Sequence, residues 1–89
     1  MNFSNFNTIK PVFTTKYVLD DKAEIVYFSI DEDSDLHFLS DEGASVEHAK
    51  LVSLESIINL DMSLNDIPDF EKGDKYYRNS KNEQWQKLQ

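Results

Sequence analysis

The chain has 89 residues and a mass of 10.4 kDa, the size of one small domain with little room for a deep cleft, which disfavours an enzyme. Its 17 acidic residues outnumber nine basic ones, so the net charge of −8 repels nucleic acid and anionic membranes. The absence of cysteine excludes disulfides, thiolate metal sites and a thiol nucleophile. Neither a signal peptide nor a membrane-spanning run is visible. We therefore expect a cytoplasmic protein without a cofactor, whose partner is another protein.

The chain begins with a polar segment that precedes two strand-like runs. Residues 1–9 are expected to be a flexible arm ahead of a single domain at residues 10–89. The β-branched and aromatic run 12–19 predicts a first strand, and alternating apolar residues predict a second strand at 24–30. Because the link between these strands is short and polar, an antiparallel hairpin is favoured.

A third strand is predicted at residues 36–40, with Leu36 and Phe38 directed inward. The first half of the chain would then be a three-stranded antiparallel meander. Gly43 interrupts the strand pattern, and the periodicity changes after it.

Helical signals follow in the second half. Ser45 is placed to cap a short helical turn that runs to Lys50, and Ser53 is placed to cap a second helix that ends at Leu60. Ser63 would restart one further turn. The second helix has an apolar stripe that consists of Leu54, Ile57 and Ile58.

The end of the chain predicts a closing hairpin. Residues 75–78 and 84–88 flank a polar link, and Trp85 would anchor the second strand. The predicted fold class is thus α+β: an antiparallel meander, one or two short helices and a C-terminal hairpin.

Negative charge is concentrated in the first part of the chain. Residues 1–70 hold 14 acidic and four basic side chains, whereas residues 71–89 hold three acidic and five basic ones. The densest acidic stretch contains six carboxylates and no lysine or arginine, and we expect it to contact a protein partner. These carboxylates belong to Asp31, Glu32, Asp33, Asp35, Asp41 and Glu42.

Part of this stretch has the spacing of a calcium-binding loop. Asp31, Asp33 and Asp35 fall at its first, third and fifth positions, and Glu42 falls at its twelfth. The sixth position, however, needs glycine for a sharp turn and holds Leu36, and the preceding segment alternates as a strand and not as a helix. We interpret the stretch as a solvated acidic turn, with weak calcium binding as the alternative, and predict no metal site.

No residue set predicts catalysis. His37 should point away from the core, beside Asp35 or Leu39, and we interpret both it and His48 as surface histidines because no orienting triad is visible. The chain also lacks a nucleophile elbow and a glycine-rich phosphate loop.

The aromatic residues divide into two groups. Phe13, Phe28 and Phe38 are predicted to lie in the core. Three others are predicted to be half-exposed anchors for a partner. These anchors are Tyr27, Tyr77 and Trp85.

Several segments, read in order, resemble a known bacterial family. They are VFTTKYVL at 12–19, IVY at 25–27, DSDLHFLSDEG at 33–43 and AKLVSLESIINLD at 49–61, followed by Ser63, Leu64, Gly73, Arg78 and Trp85. Over about residues 11–88 they resemble the immunity protein 33-like family, also catalogued as domain of unknown function 2185. Members of that family are regarded as immunity proteins of polymorphic toxin systems. The resemblance implies a small α+β domain that binds and neutralises a cognate toxin, and it supplies no catalytic residue.

The chain departs from this family pattern at two positions. Leu36 stands where tryptophan is expected in the third strand, and Met62 stands where proline is expected after the helix. Loss of an exposed aromatic residue implies a different partner surface. Met62 would alter only how the helix ends.

Two other non-enzymatic functions fit the same sequence. One is a regulatory or adaptor domain, either monomeric or a homodimer that pairs through an exposed strand edge. The other is a DNA mimic, which would require carboxylates spaced regularly along one face. Clustering of the acids between residues 31 and 42 does not favour the DNA mimic.

Overall fold

A six-stranded mixed β-sheet forms the centre of the protein in the computed structural model, which describes residues 1–88. The strands follow the spatial order β4, β1, β3, β2, β5, β6. They are β1 (Pro11–Thr15), β2 (Tyr27–Ile30), β3 (Leu36–Leu39), β4 (Ala49–Ser53), β5 (Lys75–Tyr77) and β6 (Gln86–Lys87). The predicted α+β class is confirmed. Gln89, the last residue of the predicted domain, lies outside the described residues.

The helices are short. The α-helices are α1 (Lys16–Leu19) and α2 (Leu54–Leu60), and 3₁₀ turns occur at Phe3–Asn5, Val46–His48 and Met62–Asp66. Within residues 1–88, no helix is long and apolar enough to cross a membrane.

The predicted antiparallel meander is wrong for the first strand. β1 does not pair with β2; it lies between β3, to which it is parallel, and β4, to which it is antiparallel. Residues Lys16–Leu19, predicted as strand, form α1, which buries Val18 to 1% exposure. The strand composition is overridden here because one helical turn places Val18 in the core.

β4 was not predicted as a strand. The helical turn expected to run to Lys50 stops at His48, and Ala49–Ser53 pairs with β1 over five residue pairs. Ala49, Lys50 and Leu51 are all exposed because β4 is an edge strand. The strand therefore lacks the alternation of apolar and polar residues by which a strand is recognised.

Other predicted elements are confirmed. β2 and β3 form an antiparallel hairpin with Leu36 and Phe38 buried, and β5 and β6 form the closing hairpin. The side chain of Ser53 caps α2 by accepting the N–H of Ser56. Two residues of the predicted stripe, Leu54 and Ile57, are buried beneath this helix.

The segment predicted as a flexible arm, residues 1–9, lies against the rest of the domain. The amino group of Met1 donates to the carbonyl of Phe70 at 2.7 Å, and the N–H of Phe70 donates back to the carbonyl of Met1 at 2.8 Å. The Phe3 ring contacts Phe28 and Phe70, with centroids 5.5 and 5.4 Å apart. These contacts make the segment part of the cover over the core.

The core lies on one face of the sheet. Strand residues at alternate positions point into it, where they meet α2 and the chain between residues 62 and 70. Its strand residues include Val12, Phe28, Ile30, Leu36, Phe38 and Tyr76. The intervening strand residues consequently point to the other face.

Arg78 is the largest side chain that is fully buried, and each of its five N–H donors has an acceptor. Nε and Nη2 donate to the carbonyl of Ile25 at 3.0 and 2.8 Å, and Nη2 also donates to Oδ2 of Asp61 at 2.9 Å. Nη1 donates to Oγ of Ser63 and to the carbonyl of Lys81. One side chain thus fastens the C-terminal segment to the end of α2 and to the start of β2.

Trp85 belongs to the same arrangement. Its ring lies 4.2 Å from the guanidinium carbon of Arg78, and its Nε1 points to the carbonyl of Ser63 at 3.4 Å. The residue is only 8% exposed. The prediction that Trp85 is a half-exposed partner anchor is therefore wrong, because its indole packs on the buried guanidinium of Arg78.

We expect Asp61→Asn to lower the free energy of unfolding by about 3 kcal/mol, because it leaves the buried Arg78 without a counter-charge. Asparagine can still accept the N–H of Ser63, so the cap at Asp61 is kept. Urea unfolding followed by the fluorescence of Trp85 measures the change. Lys87→Met is the control: it removes the ion pair between the exposed Lys87 and Asp74 and should cost less than about 1 kcal/mol. Equal losses in the two variants would contradict the role given to Arg78.

Candidate functional site

The face of the sheet opposite the core, called the open face below, carries half-buried and exposed side chains from five strands. Its members alternate with the buried strand residues and therefore point away from the core. Register places Phe13 beside His37 on the neighbouring strand, and Tyr27 beside Tyr77. The members are Phe13, Tyr27, Ser29, His37, Leu39, Leu51, Lys75 and Tyr77.

Two shallow grooves lie side by side on the open face. The first, of about 230 Å³, runs between Phe13, His37 and Leu39 on the sheet and the loop Ala44, Ser45 and Val46. The second, of about 370 Å³, is lined by residues that include Tyr27, Lys75 and again His37 and Leu39.

The loop beside the first groove depends on Gly43. This residue has φ +76°, a left-handed conformation that glycine adopts without strain. The turn brings Val46 to the rim of the groove with 98% of its surface exposed. An apolar side chain in this position adds to the area available for a partner.

His37 occupies the centre of the open face in a fixed orientation. Its ring is stacked on Phe13, with centroids 4.9 Å apart and planes 12° apart. Its Nε2 lies 3.1 Å from Oδ2 of Asp31. The other oxygen of Asp31 accepts the N–H groups of Asp33 and Asp35, both at 2.9 Å. The pKa of Asp31 is lowered by the N–H of Asp35 and next by the hydrogen bond from His37.

The pair of His37 and Asp31 contains two of the three groups that acyl transfer uses. Ser29 stands opposite His37 in the strand register, on the same face. In the part of the chain that the structure describes, Ser29 and His37 share no hydrogen bond, so the contact of a nucleophile with its base is not formed. The outward position predicted for His37, beside Leu39 on the same face of β3, is confirmed, and its hydrogen-bond partner is Asp31.

The six predicted carboxylates are divided into two groups by β3. Asp31, Glu32, Asp33 and Asp35, called the hairpin cluster below, lie in the loop before the strand. Asp41 and Glu42, called the exit cluster, lie in the turn after it. Asp35 and Asp41 are six positions apart, which is about 20 Å of extended chain. The acidic stretch is therefore not one continuous patch, and the open face lies between two acidic ends.

This separation also places the four expected calcium ligands at opposite ends of β3. Asp31, Asp33 and Asp35 can bring one carboxylate oxygen each within 4.8 Å of one another. Glu42, the expected bidentate ligand, lies at the opposite end of β3 and accepts the hydroxyl of Ser40. Both oxygens of Asp31 are engaged in the hairpin loop. Hydrogen bonds to the carboxylate of Asp31 thus hold the loop. This arrangement is that of an acidic turn.

Tyr27 and Tyr77 fulfil the predicted exposure, because both are half-buried on the open face and adjacent in register. Sequence reasoning missed Phe13, which was assigned to the core and instead lies half-buried on this face. Alternation was the available signal: Val12 and Thr14 share the covered face, so Phe13 must point the other way.

Comparison with known proteins adds no relative. No family model matches the chain, and neither a curated protein nor a solved structure matches it. The inference about function therefore rests on the open face and its two acidic ends. The resemblance to the immunity protein family stays a prediction.

We expect Asp31→Asn to destabilise the protein more at pH 7 than at pH 3. Because the folded-state pKa of Asp31 is lowered, its stabilising effect is present at neutral pH and lost as the pH falls through that pKa. Urea unfolding at both pH values measures the difference. Asp33→Asn is the matched control, since Asp33 contributes its backbone N–H to the loop and is exposed. A variant effect that is the same at both pH values would contradict the role of the charge.

Proposed function

We propose that this chain is a non-enzymatic protein-binding domain, an immunity protein that neutralises a cognate toxin by covering it with the open face. The observation that carries the proposal is the open face itself, a strand surface from which apolar and aromatic side chains project. Exposed apolar surface of this kind is typical of interaction sites. The toxin, as the specific partner, is suggested by the resemblance of the sequence to an immunity family.

The composition of the open face supports binding to a protein. Tyr27 and Tyr77 offer large rigid surfaces that lose little conformational entropy on binding. Phe13 and His37 are already stacked, so their side chains are ordered before a partner arrives. The buried aromatic contacts would set the lifetime of the complex.

The charge of the chain supports a basic partner. With a net charge of −8, the protein attracts a positively charged surface over long range, which raises the association rate. The arrangement in two clusters weighs against a DNA mimic, which needs a continuous row of negative charges.

The free edge of β4 favours a second candidate, an adaptor that forms homodimers. The N–H of Leu54 donates to the carbonyl of Lys10. Because hydrogen-bonded pairs alternate along an antiparallel ladder, Val12 with Val52 and Thr14 with Lys50 are also hydrogen-bonded pairs. The backbone groups of the alternate residues then point away from β1. These outward residues are Ala49, Leu51 and Ser53, and such an edge can accept another strand.

We expect the chain to restore growth of cells that express the toxin domain encoded beside its gene. Leu39→Lys should abolish the rescue, because it places a cation in both grooves of the open face against a basic partner. Leu60→Lys, at an exposed position at the end of α2, is the matched control and should still rescue. Circular dichroism confirms that both variants are folded. Failure of the unaltered chain to rescue would contradict the immunity function.

The adaptor hypothesis predicts a dimer in sedimentation that Leu51→Pro dissociates. The N–H of Leu51 points outward, so proline there blocks an added strand without removing a bond to β1. Lys50→Pro is the contrast, since it removes an N–H that pairs with Thr14 and should instead destabilise the fold. A monomer at all concentrations would contradict this candidate.

A further inference from the structure

We infer that the open face binds an extended segment of the partner that has an apolar centre and lysine or arginine at both ends. This inference rests on the proposed function and adds the chemistry of the partner. It follows from the position of the grooves between the hairpin cluster and the exit cluster.

Charge complementarity indicates that the segment has a cation at each end. The hairpin cluster holds four carboxylates and the exit cluster holds two, of which Glu42 is bonded to the Ser40 hydroxyl and Asp41 is exposed; β3 with its open-face residues runs between the clusters. Lys75 lines the second groove and offsets one charge of the hairpin cluster without neutralising it. A segment with cations about 20 Å apart, or six residues in extended conformation, would reach both clusters at once.

The first groove fixes the centre of the segment. Its lining is mainly apolar, from Phe13, Leu39, Ala44, Val46 and Ala49. A volume of about 230 Å³ is suited to one large apolar or aromatic side chain.

The same groove contains an unsatisfied polar group. Thr15 also lines it and points to the same side of β1 as Phe13. Its hydroxyl is buried, the residue is 1% exposed, and the structure gives it no hydrogen-bond partner in residues 1–88. An unpaired buried hydroxyl costs free energy in the free protein, which an entering partner group can recover.

Two peptides of identical composition test the inference. In the first, acetyl-Lys-Lys-Ser-Val-Tyr-Val-Ser-Lys-Lys-amide, the inner lysines are about 20 Å apart when extended. In the second, acetyl-Lys-Lys-Lys-Lys-Ser-Val-Tyr-Val-Ser-amide, all cations lie at one end. Amide chemical-shift titrations in about 20 mM salt should show at least about fivefold tighter binding of the first peptide, with shifts at Phe13, His37 and Leu39.

Removing two negative charges from either cluster should reduce this preference. Asp33→Asn with Asp35→Asn removes charge from the hairpin cluster, and Asp41→Asn with Glu42→Gln removes it from the exit cluster. The matched control is Asp66→Asn with Asp69→Asn, which removes two negative charges on the side of the core cover and should leave the preference unchanged. The Leu39→Lys variant should lose binding of both peptides.

Equal affinity for the two peptides, or shifts outside the open face, would overturn the inference. If the peptides bind equally while Leu39→Lys still abolishes growth rescue, the two-ended geometry is wrong and the protein-binding function stands. If raising the protein concentration alone produces the open-face shifts, a second copy of the chain occupies this face, and the inference is likewise overturned.

Discussion

The buried guanidinium of Arg78 is the contact on which the arrangement of the chain depends. A fully buried cation is tolerated only where an anion and enough acceptors surround it, and here one carboxylate, one hydroxyl and two carbonyl groups do so. Because these acceptors come from segments far apart in sequence, the cation can be satisfied only when all of them have met. The requirement couples the end of α2, the start of β2 and the C-terminal hairpin in one cooperative unit.

The two faces of the sheet are covered to different extents. The helix α2, the chain from residue 62 to 70 and the first residues of the protein all lie on the same face, where the apolar side chains are. On the opposite face, within residues 1–88, Phe13, Tyr27 and Tyr77 are only half-buried. Aromatic and apolar groups on that face stay accessible, which is the physical basis of the proposed binding to a protein.

The hairpin between β2 and β3 connects the fold with the candidate site. Asp31 closes the loop by accepting two N–H groups and at the same time orients His37, which is stacked on β1 through Phe13. One carboxylate thus contributes both to the order of the acidic loop and to the position of the central ring of the open face. A surface prepared in this way loses less entropy when a partner binds.

Local chemistry in the sequence determined the α+β class, the β2 and β3 hairpin, the Ser53 cap of α2 and the closing hairpin. Each depends on neighbours within a few residues: alternation, a capping side chain or a polar turn. The pairing partners of β1, the edge strand β4 and the helical turn at Lys16–Leu19 were decided only by the tertiary structure. So were the division of the six carboxylates, the burial of Trp85 and the exposure of Phe13. In each case the outcome depends on residues distant in sequence, because pairing with a remote strand or covering a buried cation leaves no periodic signal along the chain.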